Sequence, residues 1–240
     1  MFGKNPITKP RSAKEGFSLH SIFLSIQGEG PFSGLPALFV RFAGCSHKCI
    51  ACDTDFDKGE HLSLEELVAR IKGVHSTVPS YRIVLTGGEP MIQPLTNLIV
   101  ALYDEGIKTI DIETAGTDWP EEFEDVAHLT HIICSPKTAH VHPCIKTGAL
   151  AFKYVIREGY VDQQDGLPLI TMWTSTNNLV NIGTARLYRA VDRRACDIYV
   201  QPCDDQDPEL NARNLYLCAS ISMRHGYRFS VQLHKLLGME

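Results

Sequence analysis

Apolar positions along the chain switch repeatedly between a helical spacing and short continuous runs. Ser63-Leu64-Glu65-Glu66 carries the serine and glutamate of a reciprocal N-terminal cap, and Leu64, Leu67, Val68 and Ile71 then repeat at helical intervals. Arg82 to Leu85 follows as a strand, Leu95 to Tyr103 as a helix stopped by Gly106, and Thr109 to Ile112 as a strand. Glu121 to Leu129 reads as helical and His131 to Cys134 as another strand. Upstream, Leu19 to Ile26 alternates loosely and enters the tight segment Gln27-Gly28-Glu29-Gly30-Pro31, after which Ala37 to Phe42 is a buried-strand run. Downstream, Phe152 to Ile156 and Ile198 to Val200 read as strands, Pro208 to Arg224 as a long helix stopped by Gly226, and Phe229 to Leu233 as a last strand. Between Glu158 and Ala195 the pattern is weakest: Leu179 to Val191 reads as helical, while Thr171 to Asn178 is polar. Met1 to Gly16 has no apolar period, so residues 1–18 read as a mobile lead-in to a single domain spanning 19–240.

Strands that alternate with helices predict a mostly parallel sheet with helical crossovers. Ligands of such sheets sit beyond the C-terminal strand ends. The chemically unusual segments fall at those ends: the Gln27 turn, a cysteine loop after Phe42, Thr86 to Pro90, Glu113-Thr114, Ser135-Pro136-Lys137 and Gln201-Pro202.

Composition narrows the classes. The 240 residues suit one large core, and 44% hydrophobic with 21% charged residues is ordinary for a globular protein. A net charge of −5 argues against a partner held through nucleic-acid phosphates. No apolar run has membrane-spanning length and the N-terminus lacks an apolar signal stretch, so a cytoplasmic location without membrane contact is expected.

Cys45, Cys49 and Cys52 occupy eight residues at C-x3-C-x2-C spacing, whereas the other five of the eight cysteines are scattered. In a reducing compartment this favours metal binding over disulfides. Three thiolates suit a cubic iron–sulfur cluster with one iron left for another ligand. Zinc would need a fourth ligand, for which only His47 and Asp53 are near, and a trio of buried structural thiols is the remaining alternative. Gly87-Gly88 at the next strand end would admit a ligand against the backbone, although such pairs also simply make turns.

Cys45-x3-Cys49-x2-Cys52 followed by Gly87-Gly88-Glu89-Pro90 resembles the radical S-adenosylmethionine superfamily. Ser25-Ile26-Gln27-Gly28-Glu29-Gly30, Arg41-Phe42-Ala43-Gly44-Cys45, Cys52-Asp53-Thr54, Ser135-Pro136-Lys137, Tyr199-Val200-Gln201-Pro202 and Gln232-Leu233-His234-Lys235 extend the similarity to the 7-carboxy-7-deazaguanine synthase family, from about Leu19 to the C-terminus. The resemblance implies an α/β fold that is a partial, incomplete parallel β/α barrel of the radical S-adenosylmethionine type, with six or so parallel strands. It implies a lyase that converts 6-carboxy-5,6,7,8-tetrahydropterin to 7-carboxy-7-deazaguanine with loss of ammonia, a step toward queuosine. It further implies one [4Fe-4S] cluster, S-adenosylmethionine, Mg²⁺, an external one-electron reductant and a homodimer.

By the same resemblance, Cys45, Cys49 and Cys52 would hold the cluster and Thr54 the Mg²⁺. Ala51, Cys52, Asp53, Gly88, Ser135, Pro136, Lys137, Gln201, Pro202, Cys203 and Asp204 would line the cofactor site. Ile26, Gln27, Gly28, Arg41, Thr86 and Glu240 would contact the substrate, with Arg41 offering a planar fork to its carboxylate. The family commonly closes on a proline, so Glu240 is a departure. Glu113, at a strand end, and His234 are candidate catalytic groups. Two alternatives stay open: a glycyl-radical activating enzyme, which shares the cysteine spacing but acts on a protein, and a non-catalytic electron carrier. The strand-end polar groups argue against the carrier, which needs no open ligand position.

Overall fold

Leu38, Val40 and Phe42 alternate with Phe39 and Arg41 along one strand, and that period of two runs through the whole sheet. The computed structural model describes residues 7–49, 52, 54, 56, 58–76, 82–169, 186–190, 194 and 197–239. β1 (Phe17–Ile26) turns back through Gln27 and Leu35 into antiparallel β2 (Pro36–Phe42), and β3 (Glu60–Leu62) pairs with the other edge of β1. β4 (Arg82–Gly87), β5 (Ile110–Thr114), β6 (Thr130–Cys134), β7 (Ala151–Ile156), β8 (Ile198–Pro202) and β9 (Arg228–Phe229) then add in parallel. The order β3-β1-β2-β4-β5-β6-β7-β8-β9 leaves β3 and β9 as separate edges, so the sheet does not close. It is the partial parallel barrel expected from the sequence, with seven parallel strands from β2 to β9.

One face of every central strand meets the helices. Ile83 and Leu85, Ile110 and Ile112, Ile132 and Cys134, Phe152 and Tyr154 share a core with Leu67 and Ile71 of α1 (Leu64–His75) and with Leu95, Leu98, Ile99 and Leu102 of α2 (Leu95–Asp104). Each fully buried side chain of this kind contributes roughly 1.5–3 kcal/mol. The opposite face presents Arg41, Thr86, Glu113, Lys153 and Gln201, and this polar face builds the site. α3 (Pro143–Gly148), α4 (Pro208–His225) and α5 (Leu233–Leu237) complete the helices among the described residues. None of the helices is long and apolar enough to cross a membrane.

The cap read at Ser63 is present: its Oγ accepts from the Glu66 amide at 3.2 Å, and Glu66 Oε2 accepts from the Ser63 amide at 2.8 Å. Ser63→Ala is expected to lower stability by about 1 kcal/mol in urea titration.

Five expectations change. Glu121 to Leu129 is not a helix but two single 3-10 turns, Phe123–Asp125 and Ala127–Leu129. Glu122 lies in the left-handed region (φ 55°), and Phe123, fully buried, packs edge-on to Trp119 at 4.8 Å, which breaks the helical run. The final strand stops at Phe229, because the Ser230 amide donates to Val200 and its Oγ accepts from Gly30, turning the chain toward α5. Residues 7–16, read as mobile, are bonded to the core: the Thr8 amide donates to Cys45 at 2.7 Å and the Arg11 amide to Ile92 at 2.7 Å. The core itself begins at Phe17, 2% exposed, two residues before Leu19. Most of Leu179 to Val191 lies outside the described residues, but 186–190 are not helical and bury Leu187 and Ala190.

Candidate active site

A cleft of about 230 Å³ opens at the C-terminal ends of the parallel strands. Cys45, Cys49 and Cys52 all line it. The cysteine loop follows β2 directly, and backbone bonds tie it to the end of β4: the Gly88 amide donates to Phe42 at 3.1 Å and the Glu89 amide to Gly44 at 3.0 Å. Glu89 is 1% exposed, and its oxygens accept from Thr114 Oγ1 (2.6 Å), the Ala115 amide (2.7 Å) and the Met91 amide (3.0 Å). Burial pushes its carboxyl up to about 7 despite those bonds. Glu89 therefore locks the ends of β4 and β5 together beneath the cysteines.

Among the described residues, the one set of three potential ligand atoms lying within 4.8 Å of one another is His47, Glu89 and Asp118. Its members are already engaged, since Asp118 Oδ2 accepts from Ser46 Oγ (2.5 Å) and Thr117 Oγ1 (2.9 Å). It reads as a hydrogen-bonded brace for the loop. Burial raises the Cys45 and Cys49 thiols, so they stay protonated until a metal displaces the proton.

The facing wall is a chain of charges and amides. Lys153 on β7 donates to Glu29 Oε2 and to Glu113 Oε2, the latter at 3.1 Å. Glu113 Oε1 accepts from Gln27 Nε2 at 2.8 Å, and Glu29 Oε1 accepts from Gln201 Nε2 (3.1 Å) and Gln232 Nε2 (2.9 Å). Burial acts to raise the Glu29 carboxyl, but the Lys153 charge, the Lys153 and Gln232 hydrogen bonds and the His234 charge outweigh it, leaving it at about 2. The same carboxylates hold Lys153 above its ordinary value against the opposing effect of burial. A carboxyl held below its ordinary 4.5 stabilises the fold above that pH and loses this contribution as pH falls toward about 2. The thermal midpoint is accordingly expected to drop between about pH 5 and about pH 2, and Glu29→Gln to make that drop shallower.

The family model of the radical SAM superfamily matches residues 39–151, from within β2 through the cysteine loop to the start of β7. The 7-carboxy-7-deazaguanine synthase of Rhodospirillum rubrum is 40% identical, over 99% of this chain and 99% of its own length. This chain belongs to the 7-carboxy-7-deazaguanine synthase family. The synthase of Rickettsia prowazekii is 34% identical over the whole of this chain and 96% of its own. The crystal structure of QueE from Escherichia coli superposes with a TM-score of 0.60 at 23% identity, covering 90% of this chain and 93% of its own, and shares the fold. Members of the radical S-adenosylmethionine superfamily carry a [4Fe-4S] cluster and S-adenosylmethionine, and three thiols on one cleft with adjoining room fit that pair.

Of the remaining residues singled out on this resemblance to the synthase family, Thr54, Thr86, Gly88, Glu113, Ser135, Lys137, Gln201, Pro202, Cys203 and Asp204 also line the cleft. Cys203 is fixed through its backbone, its amide donating to Ile156 and its carbonyl accepting from Asn214. Asp204 pairs with Lys235 of α5 at 3.0 Å. Ile26, Gln27, Gly28, Arg41, Pro136 and His234 are not in the lining. Gln27 reaches it through Glu113, whereas Arg41 lies over the Phe23 ring at 4.8 Å. Gly28 leaves room for His234, whose Nδ1 sits 2.0 Å from where a Cβ would project. Ala51, Asp53 and Glu240 lie outside the described residues. Sequence reasoning missed Glu29, Lys153 and Gln232; the legible signal was a lysine inside the apolar run Ala151-Phe152-Lys153-Tyr154-Val155.

Proposed function

We propose that this enzyme converts 6-carboxy-5,6,7,8-tetrahydropterin to 7-carboxy-7-deazaguanine and ammonia. The observation that carries the reading is the meeting, in one small cleft, of the Cys45-Cys49-Cys52 loop with the Glu113–Lys153–Glu29 wall. Bound together, the cluster and S-adenosylmethionine would supply a 5′-deoxyadenosyl radical that takes a hydrogen atom from the substrate and returns one to the product radical, since net loss of ammonia is redox-neutral.

The protein's own part is placement. Cys45, Cys49 and Cys52 hold the cluster, and Gly88, Ser135, Pro136, Lys137 and the Gln201 to Asp204 segment, with Ala51 and Asp53, receive S-adenosylmethionine. Ser135 is already fixed by its Oγ donating to the Lys153 carbonyl and accepting from Lys137. Glu113 accepts from the donor-rich edge of the pterin and Thr86 contacts it, as does the Glu240 terminus. Ile26, Gln27, Gly28 and Arg41, which stand outside the cleft lining, move to the pterin on binding, Arg41 leaving the Phe23 ring for its carboxylate. Thr54 would hold Mg²⁺, an ion that commonly takes few protein ligands, through its hydroxyl. The His234 ring stays at the rim beside Glu29, where its charge lowers that carboxyl. An external reductant supplies one electron. The site works in the cytoplasm, without nucleic acid or membrane, and a second copy covers an exposed edge of the open sheet. The test is anaerobic reconstitution with iron and sulfide, then assay with reductant, S-adenosylmethionine, Mg²⁺ and the carboxytetrahydropterin. Product and ammonia in equal amounts are expected; 5′-deoxyadenosine without either would overturn the substrate assignment.

A further inference from the structure

Lys153 stands between two fully buried aromatic residues, Phe152 and Tyr154, with only 7% of its side chain exposed. A cation so placed costs several kcal/mol unless it is paired. It is paired twice, with Glu29 and Glu113, and those carboxylates stand 84 residues apart in the chain. Each carboxylate turns its second oxygen to an amide: Glu113 to Gln27, and Glu29 to Gln201 and Gln232.

This arrangement fixes the amide of Gln201. A carboxylate only accepts, so Gln201 must direct its NH₂ at Glu29. Its carbonyl Oε1 is thereby left as the other end. Gln201 is 4% exposed, lines the cleft, and its Oε1 is buried with no hydrogen-bond partner among the described residues. That oxygen is closed off from the cleft, whereas Glu113 keeps 21% of its side chain exposed. Glu113 likewise lines the cleft, with Gln27 and Lys153 occupying one direction at each oxygen and further lone pairs left over.

We infer that Lys153 is a positioning residue: by clamping Glu29 and Glu113 it sets the Glu113 carboxylate of the cleft wall as an acceptor for a heterocyclic edge that presents N–H donors. This rests on the reading of the cleft as a pterin site, since the aminopyrimidinone edge of a pterin belongs to that chemical class. Lys153 also lines the cleft, with its ammonium engaged by both carboxylates. Its ammonium cancels one of the two negative charges and orients both carboxylates, so recognition depends on acceptors that are already aimed before the ligand arrives.

The test uses the reconstituted holoenzyme, with Mg²⁺ and without reductant, and measures equilibrium binding of the carboxytetrahydropterin and, separately, of S-adenosylmethionine. In Lys153→Met the pterin Kd and the steady-state KM are expected to rise about tenfold or more while kcat changes less than about threefold, since what is lost is alignment for binding. Lys153→Arg, which keeps the charge, is expected to recover most of that affinity. The double variant E29Q/K153M, which removes one charge of each sign, guards against a failure of folding: it is expected to melt close to the wild type and to keep the weakened pterin binding. Wild-type pterin affinity in Lys153→Met or in the folded double variant, no recovery with arginine, or a loss confined to S-adenosylmethionine would each overturn the role of Lys153. A wild-type enzyme that neither binds nor converts the pterin would instead overturn the proposed function.

Discussion

Serine at Cys45, Cys49 or Cys52 is expected to abolish iron retention after anaerobic reconstitution and to reduce 5′-deoxyadenosine formation to background, a loss of at least about a thousandfold. The thiolate is the ligand, and a serine hydroxyl is far less acidic and a harder donor, so each substitution removes one of three anchors. Three anchors already leave one iron for another ligand, and two leave the cluster labile. The chain should still fold. Cys49 and Cys52 are only half-buried, the loop is held by the Gly88 and Glu89 amides, and a serine keeps nearly the same volume. An apo melting temperature within a few degrees of the wild type, together with an iron assay and chromatography of the nucleoside products, separates loss of the cluster from loss of the fold.

Gly88→Ala is expected to destabilise the protein by about 3 kcal/mol, at the upper end of overpacking costs, and to lower cluster loading with it. The backbone of Gly88 does not lie in the left-handed region; the space around it is what forbids a side chain. A Cβ would stand 1.9 Å from the Gly44 carbonyl oxygen and 3.0 Å from Cys45 Cβ. The nearest obstacle is backbone, not the tip of a flexible side chain, so relief requires moving the start of the cysteine loop away from β4. That movement would break the Glu89–Gly44 bond and shift Cys45. Gly73→Ala, in α1 with nothing within 4 Å of the new methyl, is the matched control and is expected to add about 0.5–1 kcal/mol. Urea denaturation of both variants measures the contrast.

Local signals were legible in the sequence and distant ones were not. Ser63 and Glu66 form their cap within one turn, so spacing alone was sufficient. The cysteine spacing pointed to the cleft for the same reason. Gly88 was legible as a glycine that something approaches, yet the approaching group includes the Gly44 backbone, 44 positions upstream, which no local pattern encodes. The helix expected over Glu121 to Leu129 failed because Phe123 is drawn to Trp119 and Glu122 adopts a left-handed turn, a packing decision that overrides periodicity. Lys153 was visible as an anomaly in an apolar strand. Its partner Glu29 lies 124 residues away, and only the sheet order brings them together.

The account turns on whether the Cys45-Cys49-Cys52 loop and the Glu113 wall serve one reaction in one cleft, and a single-turnover experiment tests this most directly. Reconstituted enzyme, reductant and S-adenosylmethionine are mixed with carboxytetrahydropterin deuterated at its ring carbons, and the recovered S-adenosylmethionine and 5′-deoxyadenosine are both analysed by mass spectrometry. Deuterium in the 5′-methylene of the recovered S-adenosylmethionine or in the 5′-deoxyadenosine, accompanied by 7-carboxy-7-deazaguanine, is the predicted result, because a redox-neutral loss of ammonia requires the nucleoside to hand a hydrogen atom back. Unlabelled 5′-deoxyadenosine with the pterin recovered intact would contradict it.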